Sequence, residues 1–146
     1  MNDAGVRPFS IRALLEDRAR YLVPMYQRNY AWGEGEITQL LQDVLDYQQK
    51  LVSGKGPQTY YIGTLVVFAR DDGSFEVIDG QQRFTTLSLL ANWLKHHAID
   101  SVDMSWYQTI NLAFESRPIS SHTFERLWQG VAPVSYTHLR AHETKA

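Results

Sequence analysis

Residues 74–87 read SFEVIDGQQRFTTL, and the division of that stretch decides the fold. Residues 74–79, SFEVID, are short and rich in β-forming types, so they predict a strand. Residues 81–99 carry an apolar pattern through Leu87, Leu90, Ala91 and Leu94 that predicts a long core helix. The chain therefore passes from strand to helix through Asp79 and Gly80. At such a joint the first helical amides lack partners and a phosphate can dock. Gly80 lets a ligand approach the backbone, Gln81 and Gln82 can donate and accept, and Arg83 offers a planar fork for two phosphate oxygens. Asp79 can hold a metal ion or orient water, and it can equally cap the helix. Thr85 and Thr86 lie one turn further in. The plain alternative is an ordinary Asp-Gly turn ahead of a capped helix. No G-x-x-x-x-G-K-[ST] occurs anywhere, so the joint is not a P-loop.

Upstream, YYIGTLVVFA (60–69) predicts a strand buried on both faces. The DDG turn at 71–73 makes it a hairpin partner of residues 74–79. A loop rich in Gly, Ser and Pro occupies 53–59, preceded by a helical pattern over 34–51 through Ile37, Leu40, Leu41, Val44, Leu45 and Leu51. Ser10 is a natural N-cap for a short helix over 10–19, and residues 21–23 form a brief strand ended by Pro24. Downstream, residues 105–116 predict a helix stopped by Pro118, and 121–129 predict another. The order is that of a small α+β domain with a short β-sheet packed by helices. Residues 1–100 are expected to form its main body, and 101–132 the start of a truncated helical part.

The bulk properties exclude some functions. The 146 residues suffice for one modest core. A net charge of -2 offers no general attraction to nucleic acid, so any DNA contact must be local. The absence of cysteine excludes disulfides and thiol chemistry. No apolar stretch suits a signal core or a bilayer span, so a cytoplasmic protein without membrane partners is expected.

A second candidate site is VPMYQRNYAW, residues 23–32. Tyr26, Tyr30 and Trp32 can stack on bases, while Gln27 and Arg28 between them can read base edges or hold phosphates. The alternative is a segment whose aromatic rings fill the core. His96 and His97 sit at a helix end and read as solvated.

The final stretch, PVSYTHLRAHETKA (133–146), has neither helical nor alternating periodicity. Its codons can be written to resemble the transposon-end adapter of sequencing libraries. It is expected to be a non-native tail, with the natural sequence continuing differently after Ala132. His138 and His142, four apart, are accordingly set aside as a metal pair, and no protein-ligated metal site is expected.

Three motifs taken together, V-P-x-Y-Q-R-x-Y-x-W, Y-Y-I-G-T-L and V-I-D-G-Q-Q-R-F-T-T-L, resemble the N-terminal domain of GmrSD-type modification-dependent restriction systems. The same domain type occurs in phosphorothioate-sensing and other phage-defence proteins. The resemblance spans about residues 8 to 100, with Phe84 where the family pattern has Leu. It implies a fold related to the ParB and sulfiredoxin nucleotide-binding domains, in which a G-x-x-R element grips phosphates; Gly80 and Arg83 match that element. It also implies that D-G-Q-Q-R serves NTP binding and hydrolysis with Mg2+. Asp79, Gln81 and Gln82 are then the catalytic candidates. Gly80, Arg83, Gln27 and Arg28 are the nucleotide-binding ones, and Tyr26, Tyr30 and Trp32 the DNA or base contacts. Nucleotide turnover would regulate DNA cleavage by a C-terminal His-Asn-His nuclease domain, which this chain lacks. The leading expectation is thus an NTP-hydrolysing regulatory domain of a phage-defence endonuclease. A modified-DNA recognition module without NTPase activity is the alternative, and an inactive scaffold the third reading.

Overall fold

A computed structural model describes residues 5–56 and 59–131. Eight elements follow in order: α1 (Ile11–Glu16), β1 (Tyr21–Val23), α2 (Glu34–Val52), β2 (Val66–Ala69), β3 (Phe75–Asp79), α3 (Gln81–His97), β4 (Leu112–Phe114) and α4 (Pro118–Trp128). Four strands form one mixed sheet in the order β2-β3-β1-β4. The architecture is the expected α+β domain. Among the described residues no helix is long and apolar enough to cross a membrane.

Local chemistry explains most of the elements. Ser10 caps α1, its Oγ accepting from the Ala13 amide at 3.0 Å. The β2–β3 hairpin is antiparallel as expected. Its turn is held by Asp72, whose carboxylate accepts from the Ser74 amide at 2.9 Å and from its hydroxyl at 2.6 Å. β1, only three residues long, lies between β3 and β4 and runs parallel to both.

α3 is the central helix. Phe84 is 2 % exposed and its ring lies 5.3 Å from that of Tyr21 on β1. Around it the core gathers Leu15, Val23, Val77, Ala91, Met104, Tyr107 and Leu112. Burial pushes the Tyr107 phenol up to about 12. The helix also buries Gln81, Gln82, Thr85, Thr86, Ser88 and Asn92. The two threonine hydroxyls return to the helix's own backbone, Thr85 to the Gln81 carbonyl and Thr86 to the Gln82 carbonyl.

Two expectations are corrected. Residues 60–69 are not one buried strand. The ladder begins only at Val66, and β2 is an edge strand with Val66 and Phe68 exposed. An edge strand has a neighbour on one side only. Residues 105–116 are not a helix: Leu112–Phe114 is β4. The cause is Asn111. Its side-chain amide donates to the Leu14 and Asp17 carbonyls at 2.8 and 3.0 Å, while its own carbonyl accepts from the Tyr21 amide at 2.7 Å. The chain is thereby drawn out alongside β1. Pro118, expected as a terminator, instead occupies the first turn of α4, where its missing N–H costs nothing. β4 thus joins the sheet from beyond the boundary expected near residue 100. The tail at 133–146, with His138 and His142, lies outside the described residues.

Phe84 anchors α3 to the sheet, so Phe84→Ala is expected to cost about 3 to 5 kcal/mol, as large aromatic truncations in cores do. Urea unfolding followed by circular dichroism measures it.

Candidate functional site

The strand-to-helix joint forms as the sequence suggests, with one change. Gly80, not Asp79, is the N-cap residue of α3, at φ 95 and ψ 8, and no side chain caps this helix end. A Cβ at position 80 would lie 2.8 Å from the Thr64 carbonyl oxygen and 3.3 Å from the Leu65 Cα. The space expected for a ligand beside Gly80 is therefore taken by the chain's own backbone at 64–65.

The second motif folds over this joint. Gln82 holds it with both ends of its amide: Oε1 accepts from the Ala31 N–H at 2.7 Å, and Nε2 donates to the Asn29 carbonyl at 3.1 Å. Gln27 donates to the Ile78 carbonyl at 3.0 Å and accepts from Gln81 Nε2 at 3.2 Å. The Tyr30 hydroxyl pairs with Thr86 Oγ1 at 2.9 Å. Arg117 reaches across from the start of α4 and donates to the Gln27 and Arg28 carbonyls. The Tyr26 hydroxyl donates to the Glu76 carboxylate on β3.

These bonds sort the candidate residues. Gln81 and Gln82 are buried and joined to the 23–32 segment, so both organise the site. Asp79 is exposed at the end of β3, and among the described residues no partner engages its carboxylate. The Arg28 side chain is exposed while its carbonyl is held by Arg117. Tyr26 is 68 % exposed despite its hydrogen bond. Trp32 is half-buried, with the Arg83 guanidinium carbon 5.8 Å from its ring centroid. Arg83 makes no ion pair among the described residues, and its Nε is buried without a hydrogen-bond partner. A cationic side chain thus lies in the first turn of an uncapped helix with no carboxylate to neutralise it.

Four participants, Gly63, Glu76, Arg117 and Arg70, were not singled out from sequence. Gly63 lies against Arg83; its one signal is a glycine inside a β-rich run, which marks close backbone approach. Glu76 and Arg117 carry no local signal, because their partners are 50 and 90 residues away in sequence. Arg70 bridges Glu76 and Glu115, both at 3.1 Å. The Tyr26 hydrogen bond, assisted by Arg70, holds the Glu76 carboxyl below its ordinary value, and the same bond raises the Tyr26 phenol. Among the described residues no group of three or more His, Cys, Asp or Glu side chains could hold a metal ion.

The mixed sheet, the joint and the segment folded over it define a small domain whose two sequence motifs are hydrogen-bonded together. Over residues 11–143 the chain matches the family described as GmrSD restriction endonuclease, N-terminal domain, and it belongs to that family. The matched span includes residues 133–143 of the stretch expected to be a non-native tail. No curated protein matches the chain.

Gln82→Ala leaves the Ala31 N–H and Asn29 carbonyl without their partner. It is expected to destabilise the fold by about 1 to 3 kcal/mol, with faster hydrogen exchange at Ala31 as the local readout. The acid limb of stability tests Glu76. Its folded-state pKa lies below the reference 4.5, so its contribution is complete above that value and is lost as pH falls through the folded-state pKa. Glu76→Gln is expected to flatten this part of a thermal-midpoint profile taken from neutral pH to about pH 3.

Proposed function

We propose that this domain binds a nucleoside triphosphate at the β3–α3 joint and hydrolyses it, in a cytoplasmic restriction system directed at phage DNA. In this reading turnover regulates cleavage by a nuclease domain carried in cis by the intact protein or in trans by a partner. The observation that carries the reading is Arg83, a guanidinium that no carboxylate neutralises among the described residues, in the first turn of a helix whose N-terminus no side chain caps. The free amides and helix dipole supply partial positive charge, and Arg83 the full charge. The exposed Asp79 carboxylate fits a Mg2+ ion held mainly by substrate phosphates, since such ions need only one or two protein carboxylates. The ion would neutralise phosphate charge during transfer. Gln81, Gln82 and Gln27 keep the segment 23–32 seated beside the phosphates, and the exposed Arg28 side chain is the second candidate cation for them.

A second reading, recognition of modified DNA without NTP turnover, is favoured by Tyr26, whose ring is largely exposed while its hydroxyl is fixed on Glu76. A rigidly held open ring is a stacking platform; Tyr30 and Trp32 are less open.

Calorimetric titration of ATP and GTP separates the readings. Arg83→Ala is expected to lose about 2 to 5 kcal/mol of binding, and at least about tenfold in affinity. Arg83→Lys should recover little, because an ammonium lacks the two-pronged contact. Asp79→Ala should lower turnover more than affinity. Equal affinity in folded wild type and Arg83→Ala would return the joint to an ordinary turn. Modified-DNA binding without nucleotide binding would favour the second reading.

A further inference from the structure

Arg83 is the side chain on which the nucleotide reading rests, and its surroundings are unusual for a cation. No carboxylate orients it among the described residues. Its Nε is buried and makes no hydrogen bond. What fixes it is shape. A Cβ built on Gly63 would lie 2.0 Å from Arg83 Nη1, 2.7 Å from Cζ and 3.4 Å from Nε. The guanidinium therefore occupies the volume that any other residue at 63 would fill. The Trp32 ring, 5.8 Å from the same carbon, supplies an aromatic neighbour. Gly63 itself has φ 153, a conformation that side chains rarely adopt.

We infer that Gly63 is a positioning residue for Arg83: its missing side chain makes the slot that holds the guanidinium beside Trp32 and the start of α3. The inference rests on the proposed function for what the held guanidinium then binds, a triphosphate. The physical gain is preorganisation. An exposed arginine loses much rotamer freedom when it clamps an anion. One already seated by packing has lost that freedom during folding, and no carboxylate has to be displaced when the anion arrives. A glycine slot thus orients a charge without neutralising it, which an ion pair cannot do.

A double-mutant cycle on the full chain tests this, using Gly63→Ala, Arg83→Ala and the double variant. Backbone strain at φ 153 affects both backgrounds alike, so it cancels in the cycle. The added methyl is expected to lower the thermal midpoint more when Arg83 is present than when it is absent, by a modest margin because the displaced guanidinium ends a flexible side chain. ATP, GTP and inorganic tripolyphosphate are the probes. Gly63→Ala should weaken their binding at least about tenfold, close to the loss in Arg83→Ala, and should cause no further loss in the double variant. Equal midpoint losses in both backgrounds, or unchanged probe affinity in a folded Gly63→Ala protein, would overturn the inference. If Gly63→Ala does not fold, recovery of folding in the double variant supports it. If neither folds, the wild-type NMR signal of the Arg83 Nε–H decides: slow solvent exchange supports a seated guanidinium, and exchange as fast as in a free arginine overturns it. If the wild type binds none of the probes, the nucleotide reading fails separately, while the midpoint cycle still decides whether Gly63 seats Arg83.

Discussion

The backbone of residues 29–31 belongs to no helix or strand, and the side-chain amide of Gln82 supplies partners for it. A buried amide donates and accepts through two atoms in one plane. It can therefore satisfy an N–H and a carbonyl two residues apart and fix both their spacing and their orientation. Tyr30, between them, is brought to Thr86 one turn further along α3. The segment 23–32 takes its position from the first two turns of a helix fifty residues later, so the two motifs form one unit.

The same joint is tied on its other side by absence of atoms. Two positions without side chains make this possible: Gly80 lies against the Thr64 and Leu65 backbone, and Gly63 against the Arg83 guanidinium. Hydrogen bonds from side chains fix one flank of the joint, and close backbone packing fixes the other. Between them the start of α3 keeps its uncapped end, which a capping serine or aspartate would have closed.

The strand–helix reading of residues 74–97 could be made from sequence because both halves carry strong local signals: β-forming residues, then Asp-Gly, then a helical apolar period. The N-cap by Ser10 and the hairpin turn at Asp72–Gly73 were legible for the same reason. The errors arose where distant partners overrode local pattern. Residues 105–116 carry apolar side chains compatible with a helix, but Asn111 bonds to backbone nearly a hundred residues earlier, and Leu112–Phe114 is then a strand beside β1. The buried reading of 60–69 assumed a central strand, and strand order is invisible in a single sequence. At the site, Arg83 and Gln82 were legible as chemistry. That Gln82 binds its own chain, and that Gly63 shapes the place of Arg83, required knowing which segments meet.

The short strand β1 has a consequence for the order in which the chain can fold. Its neighbours on both sides are parallel, and the register pairs Tyr21 with Phe75 on one edge and with Leu112 on the other. Parallel neighbours cannot be reached through a tight turn; each needs a long crossover. The middle of the sheet thus consists entirely of contacts between remote parts of the chain, whose loop-closure entropy must be met before they stabilise anything. Such topologies fold slowly. On a ribosome, the hairpin β2–β3 and helix α3 can form while β1 still has a bare edge. The sheet gains its fourth strand only after Leu112–Phe114 has emerged, and α4 follows it.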